Sequence, residues 1–184
     1  EIAKEDIDLK LLPQYISTDS SELRQFISGY IWNSYWVKKW DWVDSLDRSK
    51  WTDLEVKHFL LNLPFSIETW VRANTWLGDA ENDYWKETRV NPYESDESTE
   101  TAIEKLIEVK RPLAALACLG FRLRKKLPLQ KDQVVTALID AVNTEESSKH
   151  IDSYYMIELI KYLQNHPDAT EDDLFKVEWA YLPI

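Results

Sequence analysis

Three tryptophans spaced four residues apart are the arrangement in this chain best suited to binding a ligand. Trp32, Trp36 and Trp40 would follow one another along one face of an α-helix, with Tyr35 and Trp42 beside them. Such a stripe can stack on sugars or bases, or anchor a partner helix, because aromatic side chains offer a large contact area at a low entropic cost. Its commoner role is packing between helices, and core packing is therefore our first expectation.

A second candidate is a group of cations in a chain that is otherwise acidic. The formal net charge is -11, yet four basic residues fall in the last turns of one predicted helix: Arg122, Arg124, Lys125 and Lys126. Cations at this end oppose the negative pole of the helix dipole, which is a sufficient structural reason for them. The alternative is a docking patch for an acidic protein surface. General affinity for nucleic acid is disfavoured by the net charge.

Residues that could catalyse a reaction or hold a metal ion are present but scattered. The three histidines, His58, His150 and His166, show no helical pair at the spacing of metal ligands. The one cysteine, Cys118, lies in the apolar run ALACLGF, where a packed thiol is far commoner than a nucleophile. Because the chain has only three glycines, it also lacks the glycine-rich loops that cradle phosphates.

Acidic residues are abundant, but none of them forms a complete motif. Asp79, Glu81 and Asp83 alternate as at the start of a calcium-binding loop. The match then fails, because Tyr84 stands where the loop requires glycine and Val90 where it requires glutamate. Charge at a helix N-terminus explains these acids better. We expect no metal and no cofactor, although paired carboxylates for glycoside hydrolysis need only converge in space.

The elements that position these residues are expected to be helices. Nine tryptophans against three glycines favour packed helices over tight turns, and helical periodicity runs along almost the whole chain. We expect nine or ten helices, at about residues 9–12, 20–43, 52–63, 66–78, 82–89, 99–110, 112–126, 130–143, 151–165 and 171–182. Thr52 with Glu55 and Thr170 with Asp173 have the spacing of helix caps, and Gly78 is a stop signal.

Helices of this length with short connections predict an all-α fold of stacked antiparallel hairpins, either a short α-solenoid or a helical bundle. We expect an aromatic-rich part over residues 1–90, an acidic loop or linker over 91–98, and a hairpin part over 99–184, within one continuous domain. Five small residues in one helix would let neighbouring helices approach closely: Ala114, Ala115, Ala117, Cys118 and Gly120.

Part of the chain resembles known helical segments. The run AIEKLIEVKRPLAALACLGF, which ends at Phe121, resembles a tetratricopeptide-like hairpin with a basic turn at Lys110 and Arg111. Together with LPFSIETW, DYW and the terminal EWAYLP, it is also similar to helical segments near the end of very large multidomain bacterial proteins. The resemblance covers about residues 61–184. It implies a scaffold role and assigns no active-site residue.

The sequence also suggests where the protein works. One cysteine excludes an internal disulfide framework, the N-terminus EIAKEDIDLK lacks a signal-peptide core, and no apolar run approaches the roughly 20 residues that span a bilayer. We expect a cytoplasmic location and no membrane partner. The start at Glu1 and the apolar ending WAYLPI favour a segment of a longer polypeptide.

These observations favour binding over catalysis. We expect a protein-interaction or scaffold domain that presents an aromatic or charged surface to a protein partner or to neighbouring domains of the same polypeptide. Charge reversal at Arg122, Arg124 and Lys125 should then weaken binding without unfolding the domain.

One alternative is an all-helical enzyme whose pocket of tryptophan and carboxylates acts on a glycan or polar small molecule. Another is a ligand-sensing regulatory domain of an attached ATPase or nuclease.

Overall fold

The structure is a computed structural model that describes residue 8 and residues 12–94, 99–146 and 153–182. The described residues contain nine α-helices from residue 21 onwards, a further helical turn at residues 12–15, and no β-strand, which confirms the predicted all-α fold. The helices are α1 Ser21–Ser45, α2 Asp53–Leu60, α3 Ile67–Leu77, α4 Glu81–Glu87, α5 Thr99–Glu108, α6 Pro112–Arg124, α7 Lys131–Val142, α8 Ser153–Gln164 and α9 Glu171–Tyr181. Residues 9–11 of the helix expected at 9–12 lie outside the described residues, but residues 12–15 are also helical, so this first helix ends later than the sequence predicted. None of the helices within the described ranges has the length and apolar character that crossing a membrane requires.

Several helix ends follow signals in the sequence. The Thr52 hydroxyl accepts a bond from the Glu55 backbone N–H at 3.3 Å, and the Glu55 carboxylate accepts one from the Thr52 N–H at 2.7 Å. Thr170 and Asp173 form the same reciprocal pair, with both bonds at 3.1 Å. Gly78 ends α3 with a φ of 51°, which a glycine adopts without strain. These three signals are confirmed because they act over only a few residues.

The chain divides into two compact units, residues 1–88 and 89–184. Aromatic rings fill the core of the first unit: the Trp70 ring lies 4.8 Å from that of Phe65 and 5.6 Å from that of Trp85, between ring centroids. The buried Glu81 carboxylate accepts bonds from Trp85 Nε1 at 2.8 Å and Asn74 Nδ2 at 3.1 Å. Glu81 therefore stabilises the packing of α3 and α4.

In the second unit α6 is the central helix and contacts α5, α7 and α8, while α9 packs on α7. The small residues predicted to permit close approach lie in this helix. At Gly120 the approach is so close that an added Cβ atom would lie 2.7 Å from ring atoms of Tyr155 in α8. Cys118 is fully buried beside it, and burial raises the pKa of its thiol to about 12.

The helices α5 and α6 end in the same way. After α5, Lys110 has a φ of 60° and the Arg111 N–H donates to the Leu106 carbonyl at 2.8 Å. After α6, Lys126 has a φ of 57° and the Leu127 N–H donates to the Arg122 carbonyl at 2.9 Å. Both are Schellman-type ends in which lysine takes the left-handed position that usually belongs to glycine.

The acidic segment 91–98 is only partly described. Pro92–Glu94 form a single 3-10 turn, and the Tyr93 ring packs edge-on against Phe121 at 5.1 Å. The described half of the expected linker is therefore packed against α6 as part of the second unit, a role that its polar composition did not indicate. Residues 95–98 lie outside the described part of the chain.

Candidate functional site

The first part of α1 carries an exposed aromatic surface. Its side chains are Phe26, Trp32, Trp36 and Val37, and we call this set the α1 surface. Phe26 is 63% exposed, Trp36 54% and Val37 73%, while the Trp32 and Trp36 rings pack edge-on at 5.7 Å. The opposite face of the same helix is buried, so α1 is apolar on two sides.

Exposure of this surface corrects the expectation that the tryptophan stripe would be core. A helix buried on one face ordinarily exposes polar residues on the other. Here Trp32 remains 38% exposed, although large aromatic side chains are usually well covered. The apolar residues of this surface are neighbours on one helix face, and such contiguous patches commonly mark sites of interaction.

The third tryptophan of the stripe has a different environment. Lys39 lies inside α1 with φ 55° and ψ -152°, so the helix is broken between Trp36 and Trp40. Beyond the break, the Arg72 guanidinium of α3 lies 4.2 Å above the Trp40 ring and forms a two-point ion pair with Asp44, at 2.9 and 2.6 Å. Trp40 thus packs within the first unit, and the uninterrupted stripe expected from the spacing does not form.

Lysines border the α1 surface at this break. The Lys39 ammonium lies 4.1 Å above the Trp36 ring and 5.4 Å from that of Tyr35.

Lys38 lies 3.9 Å from the Asp8 carboxylate, which also accepts bonds from the Tyr30 hydroxyl and from Trp42 Nε1. The carboxylate and burial raise the pKa of Tyr30 to about 12, with burial the larger cause.

The four cations at the end of α6 do not form one patch. Arg122 is only 4% exposed, and its Nε and Nη2 atoms donate to the Pro128 carbonyl at 3.0 and 2.8 Å. A third bond joins Nη1 to the Thr99 hydroxyl at 3.3 Å. Arg122 therefore fixes the loop after α6 and is not part of an exposed patch, and from these contacts we now expect its charge reversal to destabilise the fold.

The other three cations, Arg124, Lys125 and Lys126, are exposed. The Arg124 guanidinium lies 5.5 Å from the Tyr93 ring centre, and the Lys125 ammonium 5.9 Å from that of Phe121. No carboxylate in the described part of the chain forms an ion pair with Arg124. These contacts hold positive charge over aromatic rings at the end of α6.

Arg124 also lines a cleft of about 560 Å³ between α6 and α8. We call it the tyrosine cleft, because Tyr154, Tyr155 and Tyr162 form much of its wall; His166 is also part of the lining. The Tyr154 and Tyr155 rings pack edge-on at 5.8 Å, and those of Tyr162 and His166 lie 5.2 Å apart.

Hydrogen bonds hold several groups of the tyrosine cleft in place. The Tyr162 hydroxyl donates to the Leu129 carbonyl at 3.2 Å. The His166 Nδ1 atom accepts from the Asp168 N–H at 3.2 Å, so a neutral imidazole carries its proton on Nε2. The Lys161 ammonium pairs with the Glu158 carboxylate at 2.8 Å within the lining.

The contacts of His58 explain it as part of the fold. His58 lies 3.1 Å from the Ser17 hydroxyl through Nδ1, and burial together with the Lys57 ammonium lowers its pKa. His150 lies outside the described residues. Within the residues that the structure describes, no group of three or more histidine, cysteine or acidic side chains is placed to hold a metal ion.

Another exposed apolar surface lies on α9. The Phe175 and Trp179 rings stack at 5.7 Å with 24° between their planes, and each side chain is more than half exposed. On its other side α9 is fixed to α7, since the Tyr181 hydroxyl donates to the Leu138 carbonyl at 2.9 Å. Trp179 and Leu182, which belong to the apolar ending WAYLPI, are both exposed.

The tyrosine cleft was missed by sequence reasoning. Its two walls come from helices well separated in the chain, and neither wall alone has the spacing of a motif. The available signal was the run SYYMIELIKYLQNH, in which tyrosines recur at helical spacing beside Asn165 and His166.

Comparison with models of known protein families finds no match, and comparisons with curated proteins and with solved structures find none either. The class of the protein is therefore defined by its fold alone, an all-α protein of packed helices.

Proposed function

We propose that the chain is a helical protein-interaction module whose α1 surface binds an apolar helix of a protein partner. The observation that carries the proposal is the exposure of Trp36, Phe26 and Val37 on one face of a helix whose opposite face is already buried. Burying such side chains at an interface removes apolar area from water, and aromatic residues are the commonest energetic anchors of interfaces.

The surroundings of the α1 surface support a helix as the ligand. The apolar side chains lie along one face, as in grooves and seams that accept the apolar face of a second helix. Gly29 lies on the same exposed helix, with no atom within 4 Å of the Cβ position, so a partner backbone can approach closely there. Lys38 and Lys39 border one end, and they favour a partner with acidic residues at that position.

The proposal keeps the broader scaffold role, in a cytoplasmic protein, that the sequence favoured. A module that holds proteins together needs more than one contact surface, and the exposed rings of α9 would offer a further contact. An enzyme acting on a glycan is less well supported. The buried Glu81 carboxylate is engaged by Trp85 and Asn74, so this pairing of acid and tryptophan is part of the core.

Photo-cross-linking tests the proposal and can capture a partner of any identity. A photoreactive phenylalanine analogue replaces Val37, which is 73% exposed, and a matched variant carries it at the exposed Lys50. We expect defined adducts at position 37 in extract of the source organism and none at position 50. Trp36→Ser should abolish the adducts while leaving the helical circular dichroism unchanged.

The mass of each adduct distinguishes a second copy of this chain from a different protein. Equal labelling at positions 37 and 50, or adducts that persist after Trp36→Ser, would contradict binding through the α1 surface.

A further inference from the structure

The tyrosine cleft is a second site, separate from the α1 surface and made entirely by the second unit. Its walls are the last turns of α6 and one face of α8. The floor is set by Gly120, where the Tyr155 ring lies against the backbone, so the separation of the two helices is fixed by direct contact. The cleft is therefore formed without a ligand, and a site that is already formed has a lower entropic cost of binding.

The wall of the cleft suits a peptide. Tyrosine rings are rigid and amphipathic, and they provide apolar contact together with hydroxyl groups at a small loss of side-chain entropy. Tyr154 is 57% exposed, so a ligand would cover a ring that solvent now reaches. Tyr93 adds a further ring beside the cleft, since the Arg124 guanidinium of the lining lies 5.5 Å from its ring centre, and interaction with Tyr155 raises the pKa of Tyr93.

The charged side chains of the lining indicate whether a ligand would be negatively or positively charged. Lys161 and Glu158 neutralise one another at 2.8 Å. Arg124 is the remaining cation of the lining, and within the described residues no carboxylate pairs with it. Its guanidinium lies over Tyr93 at 5.5 Å, which positions the planar donor group for a carboxylate. Lys125 and Lys126 follow directly and would raise the rate of encounter with an acidic ligand.

The His166 ring adds a hydrogen-bond donor to the lining. A neutral His166 carries its proton on Nε2, because Nδ1 accepts the Asp168 N–H. That proton can bond a backbone carbonyl of an extended peptide. From this geometry we infer that the tyrosine cleft binds a short acidic peptide segment, with a carboxylate on Arg124 and a neighbouring aromatic or proline side chain against Tyr154 and Tyr155.

Single-stranded nucleic acid is the other ligand that aromatic rings and an arginine could bind. The chain carries a net charge of -11, which opposes a polyanion far more than a peptide with two or three carboxylates. The acidic peptide is therefore the ligand that the observations favour.

A random octapeptide library displayed on phage and selected on the full chain tests this inference. We expect the enriched peptides to combine aspartate or glutamate with an aromatic residue or proline. Enrichment of neutral or basic sequences, or no enrichment over immobilised albumin, would overturn it. A labelled oligothymidylate of eight nucleotides forms the second arm, and tighter binding of this probe than of the selected peptides would assign the cleft to nucleic acid.

Variants then locate the bound peptide. Arg124→Gln should weaken binding of the enriched peptide about tenfold or more, since it removes a charge-assisted pair. Tyr154→Ser should weaken it similarly. Lys126→Gln is the matched control, because it removes the same charge two residues away but lies outside the lining, and it should change affinity less than threefold. Equal effects of Arg124→Gln and Lys126→Gln would show a diffuse charge effect and overturn a specific site.

This inference stands apart from the α1 surface. Trp36→Ser should leave peptide binding unchanged, and Arg124→Gln should leave photo-cross-linking at position 37 unchanged, so either proposal can fail alone.

Discussion

The ring of Tyr155 lies against the main chain of Gly120, where a Cβ atom would come within 2.7 Å of ring atoms Cγ and Cδ1. The contact joins the central helix α6 to α8 and forms the floor of the tyrosine cleft. The two helices can lie this close only because glycine has no side chain at position 120.

Gly120→Ala should destabilise the protein, because the ring, carried on a packed helix, must move to accept the methyl group. We expect a loss of about 1–3 kcal/mol in the free energy of unfolding, measured by urea denaturation. Gly29→Ala is the control within another helix. Nothing lies within 4 Å of its Cβ position, so it should gain about 0.5–1 kcal/mol from the better helix propensity of alanine. Equal effects at the two glycines would contradict the contact.

Arg122→Gln should cost about 2 kcal/mol of stability, since it removes buried, charge-assisted bonds to the Pro128 carbonyl and Thr99. Arg124→Gln, two residues further on and exposed, should change stability by less than about 0.5 kcal/mol. Chemical denaturation of both variants measures the difference. A neutral result at Arg122 would mean that water replaces its bonds.

Lys126→Gly should stabilise the protein by about 1 kcal/mol. Lysine pays a steric cost at its φ of 57°, and glycine does not. Lys125→Gly, at a φ of -80°, removes the same charge without relieving strain and should lower the melting temperature. A melting temperature that falls in both variants would show that the left-handed conformation carries no cost here.

Stability should decline in acid through the pair formed by Lys131 and Asp173. The Lys131 ammonium at 2.8 Å and the cap of α9 lower the pKa of Asp173 to about 2, below the value of about 3.9 of an unfolded aspartate. Between those two pH values the unfolded chain binds more protons than the folded one. The contribution of Asp173 is therefore complete above about pH 4 and is lost as the pH falls towards 2.

Thermal melts from pH 7 to pH 2 measure this dependence. Asp173→Asn should melt at a lower temperature than the parent at pH 7, and the difference should shrink as the pH approaches 2. Asp41→Asn changes the same charge on an exposed side chain of α1 and serves as the control. A difference for Asp173→Asn that stays constant with pH would contradict the ion pair.

The helices could be predicted because their signals are local. Thr52 with Glu55 and Thr170 with Asp173 need only the residues between them to form a cap. The break at Lys39 could not be predicted, because neither proline nor glycine marks it. After the break, Trp40 and Asp44 are held by Arg72, which stacks on the Trp40 ring, pairs with Asp44 and lies on a helix much later in the sequence.

The candidate sites were less predictable than the helices, since exposure depends on what packs from elsewhere. Trp36 and Trp70 look alike as helical tryptophans, yet one is 54% exposed and the other 2%. Arg122 and Arg124 look alike as cations near a helix end. The turn of the helix directs Arg122 to the Pro128 carbonyl and Arg124 to the tyrosine cleft.

Because Cys118 is buried, the reactivity of its thiol can report local unfolding of the second unit. Thiol reagents react with the thiolate, and a fully covered sulfur with a pKa near 12 is silent to them until the helices around it separate. The sequence holds no other cysteine. The rate at which a chromogenic disulfide reacts with the unmodified protein therefore measures how often the second unit unfolds locally around Cys118. Ligand binding in the same unit should then be visible as slower labelling, without any attached dye.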